Sequence, residues 1–206
     1  AYDYKRNSKG EIVVDANGYP QRGELMKMGS VLPTLYGGFN NEFNYKNVTF
    51  SFLIDYNFGN KILSATSYYS ILRGLNQMTL TGREGGITTG VTEGGATNTV
   101  AADAQGYYRA LAQQVTATHV LDGDFIKLRQ VNLGYTLPKN IVNKLAIFSS
   151  VQVSFVARNL AILMKKSDNI DPEATFSSNV RYYGIEGTSL PATRSYGINL
   201  NLKFKK

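Results

Sequence analysis

The sequence predicts an all-β protein of long antiparallel strands, and two observations lead to this prediction. Apolar and polar side chains alternate over five stretches of about ten residues or more, which is the period of a strand with one apolar and one polar face. The connections between these stretches are alternately short and long, as in an up-and-down meander. We therefore expect an antiparallel sheet whose long connections lie at one end.

Composition excludes several classes of protein. The chain has 206 residues, 43% of them hydrophobic, so it is not disordered, and no apolar run approaches the roughly 18 residues that a membrane helix needs. The absence of cysteine excludes disulfides and thiolate metal sites, and the net charge of +7 is too scattered to favour a nucleic-acid partner. The chain begins at Ala1 without a signal peptide, as expected of a mature product or a piece of something longer.

The first two long strands are predicted over 34–45 and 48–58. Asn17-Gly18 before them predicts a hairpin, and Lys46-Asn47 forms the tight turn between them. The second strand alternates most strictly, and its apolar face consists of Val48, Phe50, Phe52, Ile54, Tyr56 and Phe58.

Regular alternation stops over 59–120, the longest connection. We expect a short helix near 65–77, a Gly/Thr-rich tract, and a helix over 104–115 with Asp103 as its N-cap. A structureless loop of this length is uncommon in a compact domain, so the segment is interpreted as a functional excursion.

Three further strands are predicted over 124–137, 151–163 and 192–204. In the first of them the apolar phase shifts, which predicts a bulge near Arg129-Gln130. Pro138 is expected to begin a helical turn, and a polar loop over 164–190 leads to the last strand.

The apolar faces can meet either bilayer lipid or a second sheet in a soluble core. Strands of about ten residues suit an apolar band of roughly 25 Å, and aromatic side chains near the strand ends are typical of membrane-barrel girdles. These aromatics are Phe43, Tyr45, Tyr56, Phe58, Tyr135, Tyr196 and Phe204. A soluble sandwich shows the same alternation, so both interpretations stay open. Because even a small barrel needs about eight strands, we expect neighbours from outside this sequence.

Several stretches resemble a known family over residues 11–206. They are "NGYP", "YGGFNNEFNYKNVTFSFLIDYNFGNKI", "DGDFIKLRQVNLGYTLPKNIVNKL" and "PATRSYGINLNLKF", of which "FIKLRQVNLGYTLP" is the most specific. Together they resemble the C-terminal part of SusC/RagA-type TonB-dependent outer-membrane transporters. The resemblance implies that residues 1–206 are about the last five strands of a 22-stranded antiparallel transmembrane β-barrel. The long extracellular loops would then be about 1–30, 59–120 and 164–190, carrying short helices.

The resemblance also implies a function. Family members import oligosaccharides or peptides across the outer membrane of Gram-negative bacteria, together with a SusD-like surface lipoprotein, and are energised by TonB. The plug and the TonB-contacting region are not in this sequence. The last strand is similar to the signal read by the barrel-assembly machinery, carried here by Tyr196, Gly197, Leu200, Leu202 and Phe204. The trailing Lys205-Lys206 departs from a terminal aromatic residue.

Residue types in the predicted loops and strands suggest contacts. Tyrosine rings stack on sugars, and tyrosine and arginine anchor protein interfaces, so contact with substrate or the lipoprotein lid is predicted for Tyr68, Tyr69, Arg73, Arg83, Tyr107, Tyr108, Arg109, Tyr182 and Tyr183. Packing within the loops is the competing explanation. On the polar strand faces, Glu42, Asp55 and Arg158 are predicted to face the lumen.

Catalysis, metal binding and cofactors are not predicted. The carboxylate groups at Asp122 and Asp124, and at Asp168, Asp171 and Glu173, are better explained by turns than by glycoside hydrolysis or Ca²⁺ binding. A lone His119, a "GREGG" tract and the acceptor-like Asn47-Val48-Thr49 point to no site either. Two alternatives to a transporter stay open: a soluble cell-surface β-domain that binds glycans, and a secreted hydrolase, for which the sequence offers no convergent acid pair.

Overall fold

The computed structural model describes residues 1–145, 147–174, 176–177 and 179–205. Residues Thr175 and Ser178 of the predicted loop over 164–190, and Lys206 of the trailing Lys205-Lys206 pair, lie outside these described residues. The chain forms two compact units. The loop unit consists of the described residues in Ala1–Leu32, Asn60–Gly123 and Ser167–Leu190, and the sheet unit of those in Pro33–Gly59, Asp124–Lys166 and Pro191–Lys206.

The described residues contain ten strands and three α-helices. In chain order they are β1 (Tyr2–Tyr4), β2 (Arg22–Leu25), β3 (Leu35–Tyr45), β4 (Val48–Phe58), β5 (Lys61–Ser64), α1 (Ala65–Leu72), α2 (Ala104–Gln114), β6 (Val120–Asp122), β7 (Phe125–Thr136), α3 (Lys139–Val142), β8 (Phe148–Lys165), β9 (Ile185–Glu186) and β10 (Ser195–Phe204). Short 3₁₀ helices lie at Gln77–Leu80, Thr116–His119, Asn143–Leu145 and Val180–Tyr182. No helix in this part of the chain is long and apolar enough to cross a membrane.

The sheet unit is one five-stranded sheet in the order β10-β8-β7-β4-β3, with every neighbouring pair antiparallel. Residues directly opposite each other on neighbouring strands project to the same face. One such row, from β3 to β10, is Phe43, Phe50, Leu133, Phe155 and Ile198, and the neighbouring row on the other face is Asn44, Thr49, Gly134, Ser154 and Asn199. The register therefore joins the alternating strands into one apolar and one polar face. The predicted strand-rich antiparallel fold class is confirmed, as an open sheet and not a closed barrel.

The apolar face is exposed. Phe50 is 38% exposed, Leu200 56% and Leu202 36%, and Phe52 is half-buried among the rings of its own face, such as Phe39 at 6.0 Å between centroids. A soluble sandwich would enclose these side chains between two layers. They are not enclosed in a core of the described chain.

The two edges of the sheet are β3 and β10, each of which pairs with a single strand of the described chain. The connections follow the predicted asymmetry. Short connections join β3 to β4 and β7 to β8, whereas β4 to β7 and β8 to β10 are joined by long ones, and all the long ones leave from the same end of the sheet.

Two irregularities interrupt the regular pattern of the sheet. Leu53 pairs with Gln130 and Ile54 with Leu128, so Arg129 is an extra residue and the predicted bulge is confirmed. In β8, Asn159 has a φ of 51°, which interrupts the alternation. The strand predicted over 151–163 is longer, Phe148–Lys165, because its two ends pair with Phe204 of β10 and Phe125 of β7.

The loop unit has its own hydrophobic core and is not a structureless excursion. Helices α1 and α2 pack around Ile71, Leu111, Ala112 and Val115, all at most 2% exposed. As predicted, Asp103 caps α2, and its Oδ1 accepts a hydrogen bond of 2.7 Å from the Gly106 amide. The helix predicted near 65–77 is shorter, because α1 ends at Leu72 and Gly74 follows with a φ of 72°.

Smaller strands complete the loop unit. They form a three-stranded sheet in the order β6-β5-β9 and a two-stranded sheet of β1 and β2. At the predicted hairpin, the Asp15 amide donates to the Tyr19 carbonyl at 2.9 Å, and Gly18 turns the chain with a φ of 78°. A Cβ at Gly18 would lie 3.1 Å from the Val100 carbonyl oxygen, so this turn favours glycine on two grounds.

Candidate functional site

The loop unit brings several predicted contact residues into one cavity, here called the arginine cavity, of about 700 Å³. Arg73 follows the last turn of α1, and Arg109 projects from the middle of α2. Arg83 comes from the glycine-rich "GREGG" tract, and Asp103 lies at the start of α2. The cavity is therefore lined by arginines drawn from three separate stretches of chain.

The three arginines differ in how they are held. Arg83 donates from Nε to the Thr79 carbonyl at 2.9 Å and from Nη2 to the Gly74 carbonyl at 2.7 Å, so it closes its own loop. Arg73 and Arg109 are exposed, and their guanidinium groups make no hydrogen bond or ion pair with the described residues. Their donors are therefore available to a ligand.

Two predicted contact residues serve the core of the loop unit. Tyr108 is only 7% exposed, and its hydroxyl donates to the Met78 carbonyl at 2.6 Å, so it is a buried core residue, part of which also lines the arginine cavity. Tyr107 is half-buried against the same cluster, and burial raises its pKa to about 12. The spacing of Tyr108, Leu111, Ala112 and Val115 fits one helical face, a signal that the residue type alone does not give.

A second surface, here called the tyrosine groove, has a volume of about 800 Å³ and gathers Tyr68, Tyr69 and Tyr183. Tyr69 and Tyr183 are about half exposed, at 51% and 49%. The Tyr68 and Tyr69 rings meet edge to face with centroids 5.0 Å apart. Apolar side chains line much of the rest, among them Leu25, Met26, Val31, Leu63 and Ile185. Tyr182 does not line the groove and packs against Phe176 instead.

His119 lies beneath the tyrosine groove as a core histidine. It is 2% exposed, its Nε2 is 3.0 Å from the Ala112 carbonyl oxygen, and its ring meets Tyr68 edge to face. Burial lowers its pKa, which favours the neutral ring. These contacts give His119 a packing role.

The polar face of the sheet unit carries the residues predicted to face a lumen. Asp55 Oδ2 accepts from Nε of Arg129 at 2.7 Å, so the bulge places an arginine beside this carboxylate. Glu42 and Arg158 are exposed, and Glu42 accepts from the Asn44 side chain at 2.9 Å. Sequence reasoning located the bulge at Arg129 but missed this ion pair.

The residues of the predicted assembly signal lie on β10 and are all exposed. Tyr196, Leu200, Leu202 and Phe204 are on the apolar face, and Gly197 is on the other. Tyr196 stacks on Phe155 with ring centroids 6.2 Å apart, and Phe204 packs on Phe148 at 5.2 Å.

The carboxylates considered for catalysis or metal binding have structural partners. Asp122 pairs with Lys61, whereas Asp124 accepts from the Gly59 amide at 2.7 Å and pairs with Lys166 at 2.6 Å. Asp171 accepts from the Glu173 amide at 3.1 Å within a turn. Among the described residues, no group of three or more His, Asp or Glu side chains is placed to hold a metal ion. Asn47 of the acceptor-like sequence donates to the Thr136 carbonyl at 2.8 Å.

Comparison with known sequences identifies relatives among the TonB-dependent receptors. "TonB-dependent receptor P3" of Formosa agariphila is 26% identical over 196 residues, and "TonB-dependent receptor P39" of the same organism is 26% identical over 201 residues. These matches cover 93% and 97% of this chain but only 18% of each relative. No protein-family profile matches the chain. The resemblance to TonB-dependent receptors is confirmed, and the chain spans under a fifth of their length.

Solved structures give the same class of fold. The RagAB peptide importer matches in its "closed-closed" state with a TM-score of 0.63 and in its "open-open" state with 0.64, each at 20% identity. Both matches cover 98% of this chain and 22% of the RagAB chain. This chain therefore has the fold of part of a RagAB chain.

Proposed function

We propose that this chain is part of an outer-membrane TonB-dependent transporter that imports oligosaccharides or peptides. The exposed apolar face of the five-stranded sheet is the observation that carries the proposal. Phe50 and Leu200 stay in lipid in this arrangement, and the polar face with Asp55 and Arg129 lines the lumen together with Glu42 and Arg158. The TonB-dependent relatives and the RagAB fold support it.

Closure of the barrel requires the rest of the transporter chain. Backbone groups at an open sheet edge are not tolerated in hydrocarbon, so β3 and β10 pair with strands from outside residues 1–206. The N-terminal part of the whole protein supplies a plug and the contact with TonB. In this proposal β10, from Tyr196 to Phe204, also carries the assembly signal.

The loop unit lies on the extracellular side in this proposal. Its tyrosine groove, with Tyr69 and Tyr183 exposed, contacts cargo or a SusD-like surface lipoprotein that covers the transporter. Large half-exposed tyrosines with an apolar surround are suited to both, because they stack on sugar rings and anchor protein interfaces. The chain itself performs no catalysis.

Membrane fractionation and growth test this proposal. The full-length protein should sediment with the outer membrane, resist a carbonate wash and dissolve only in detergent. Deleting its gene should abolish growth on the oligosaccharide or peptide cargo and leave growth on the matching monosaccharide or amino acid unchanged. Deleting TonB should have the same effect.

The soluble glycan-binding domain is the competing proposal, and fractionation separates the two. A soluble domain requires another layer to cover the apolar face, on which Leu133 is 50% exposed and Phe155 46%. A full-length protein that purified from the soluble fraction as a monomer without detergent would refute the transporter proposal and favour this one.

A further inference from the structure

Helix α2 of the loop unit lies between two cavities that share residues. The arginine cavity on one side and a neighbouring cavity of about 860 Å³ on the other are both lined by Arg109 and Gln113. The neighbouring cavity also contains Lys5 and Arg22. The two cavities therefore form one continuous surface along the helix, here called the α2 surface.

The α2 surface is cationic. Five cationic side chains line it, namely Lys5, Arg22, Arg73, Arg83 and Arg109, against two carboxylates, Asp15 and Asp103. Both carboxylates are committed to local structure. Asp15 Oδ1 accepts from the Asn17 and Tyr19 amides at 2.9 and 2.8 Å, and Asp103 caps α2 and accepts from the Tyr19 hydroxyl.

The cations are only partly satisfied. Lys5 pairs with Glu93 and Gln21, and the Arg22 guanidinium lies 4.7 Å from the centre of the Tyr2 ring, a contact that leaves its N–H donors free to point elsewhere. Arg73 and Arg109 have no hydrogen-bond or ion-pair partner among the described residues. An arginine presents its donors as a planar fork that matches a carboxylate in two parallel hydrogen bonds.

We propose that the α2 surface binds an oligomer that carries carboxylate groups on successive units, with Arg73 and Arg109 as its main anchors. The proposal rests on the transporter function above and names the chemical class of its cargo. Because Arg73 and Arg109 both line the arginine cavity, one ligand can place a carboxylate near each anchor. Because Arg109 also lines the neighbouring cavity, the same ligand can continue along α2 toward Lys5 and Arg22. Gln113, shared by the cavities, and Gln105 offer amides for the neutral parts of the oligomer.

Binding to the full-length transporter in detergent tests the proposal, with calorimetry as the readout. The acidic probes are hexagalacturonate and hexaglutamate, and the neutral controls are maltohexaose and hexaglutamine. At least one acidic probe should bind more tightly than its neutral control, and its affinity should fall with rising NaCl because salt screens exposed charges. Binding of hexagalacturonate alone assigns an acidic glycan, and binding of hexaglutamate alone assigns an acidic peptide.

Arginine variants then locate the site. Arg73→Gln and Arg109→Gln should each weaken binding of the acidic probe about tenfold, since a hydrogen bond to a charged group is lost with the guanidinium. Arg181→Gln removes the same charge from another exposed position of the loop unit that lines neither cavity, and should bind like wild type.

Two results would overturn the proposal. One is that neither acidic probe binds better than its neutral control, and the other is that Arg73→Gln and Arg109→Gln bind as Arg181→Gln does. Failure of the transporter function itself would look different, because gene deletion would then leave growth on every cargo intact whatever these variants did.

Discussion

Glu186 shows at the scale of one residue how the loop unit is held together. Its carboxylate is 1% exposed and accepts from the Ser64 hydroxyl at 2.7 Å and from the Thr66 hydroxyl and amide at 2.8 and 3.0 Å. Burial alone raises the pKa of Glu186, but these hydrogen bonds outweigh it and the net pKa is lowered. The carboxylate therefore fastens β9 to the first turn of α1.

Replacing Glu186 should loosen this junction. We expect Glu186→Gln to destabilise the loop unit by about 1–3 kcal/mol, because the hydroxyl and amide donors lose a charged acceptor. Hydrogen exchange in the full-length protein should then be faster in peptides covering 61–72 and 179–190. Glu24→Gln, at an exposed position on β2, is the matched control and should exchange like wild type. Unchanged exchange in Glu186→Gln would show that the buried bonds contribute little.

The same carboxylate predicts a pH dependence. Because the folded-state pKa of Glu186 is lowered, its contribution is present at neutral pH and is lost as pH falls through that pKa. After correction for intrinsic rates, exchange in the wild-type junction should therefore accelerate under acid conditions. In Glu186→Gln the acceleration should be smaller.

Residue type selects side chains that are able to make contacts, but it does not show which of them are buried. Arg73, Arg109, Tyr69 and Tyr183 are exposed as expected of surface contacts, whereas Tyr108 is buried. When two tyrosines are adjacent in sequence, their residue type does not show which of the two rings is buried. That is decided by the turn of α2 against the core, and it becomes readable only when the helical spacing to Val115 is considered.

At the scale of elements, regular alternation of apolar and polar residues predicts the strands. Where the backbone is irregular, the ends of the strands are predicted less accurately. The predicted strand over 48–58 coincides with β4, in which apolar and polar residues alternate with Leu53 as the exception. In β8 the period fails at Asn159, and the predicted strand over 151–163 is three residues short at its N-terminal end and two at its C-terminal end. The loop unit was hardest to foresee, because its core joins residues distant in sequence, such as Ile71 and Leu111.

The two faces of β4 should differ in whether they tolerate a charged side chain. Phe52 lies mid-strand on the apolar face, and its neighbour Ser51 lies on the polar face. In the lipid-facing arrangement, Phe52→Arg costs about 2–4 kcal/mol at the bilayer midplane and should sharply reduce the protein recovered in the outer membrane. Ser51→Arg should be recovered near the wild-type amount. Equal recovery of the two variants would argue against lipid at this face.

At the scale of the whole molecule, the five-stranded sheet of this chain is open, whereas the transporter function we propose needs a closed barrel. β3 and β10 are edges within this chain, and exposed edges exchange their unpaired amides quickly. In the full-length protein we expect β3 and β10 to be protected from hydrogen exchange nearly as well as the central strand β7. Fast exchange along β3 or β10 would mean that the rest of the protein adds no strands there.

The independent core of the loop unit has a consequence for evolution. Two of its three segments interrupt the sheet, and both do so at the same set of strand ends. Its core around Ile71, Leu111 and Val115 contains no residue of the five-stranded sheet. Substitutions can accumulate around Arg73, Arg109 or Tyr69 without shifting the register of any strand. In the transporter we propose, related proteins can in this way come to bind different cargoes while the strands of the barrel keep the same register.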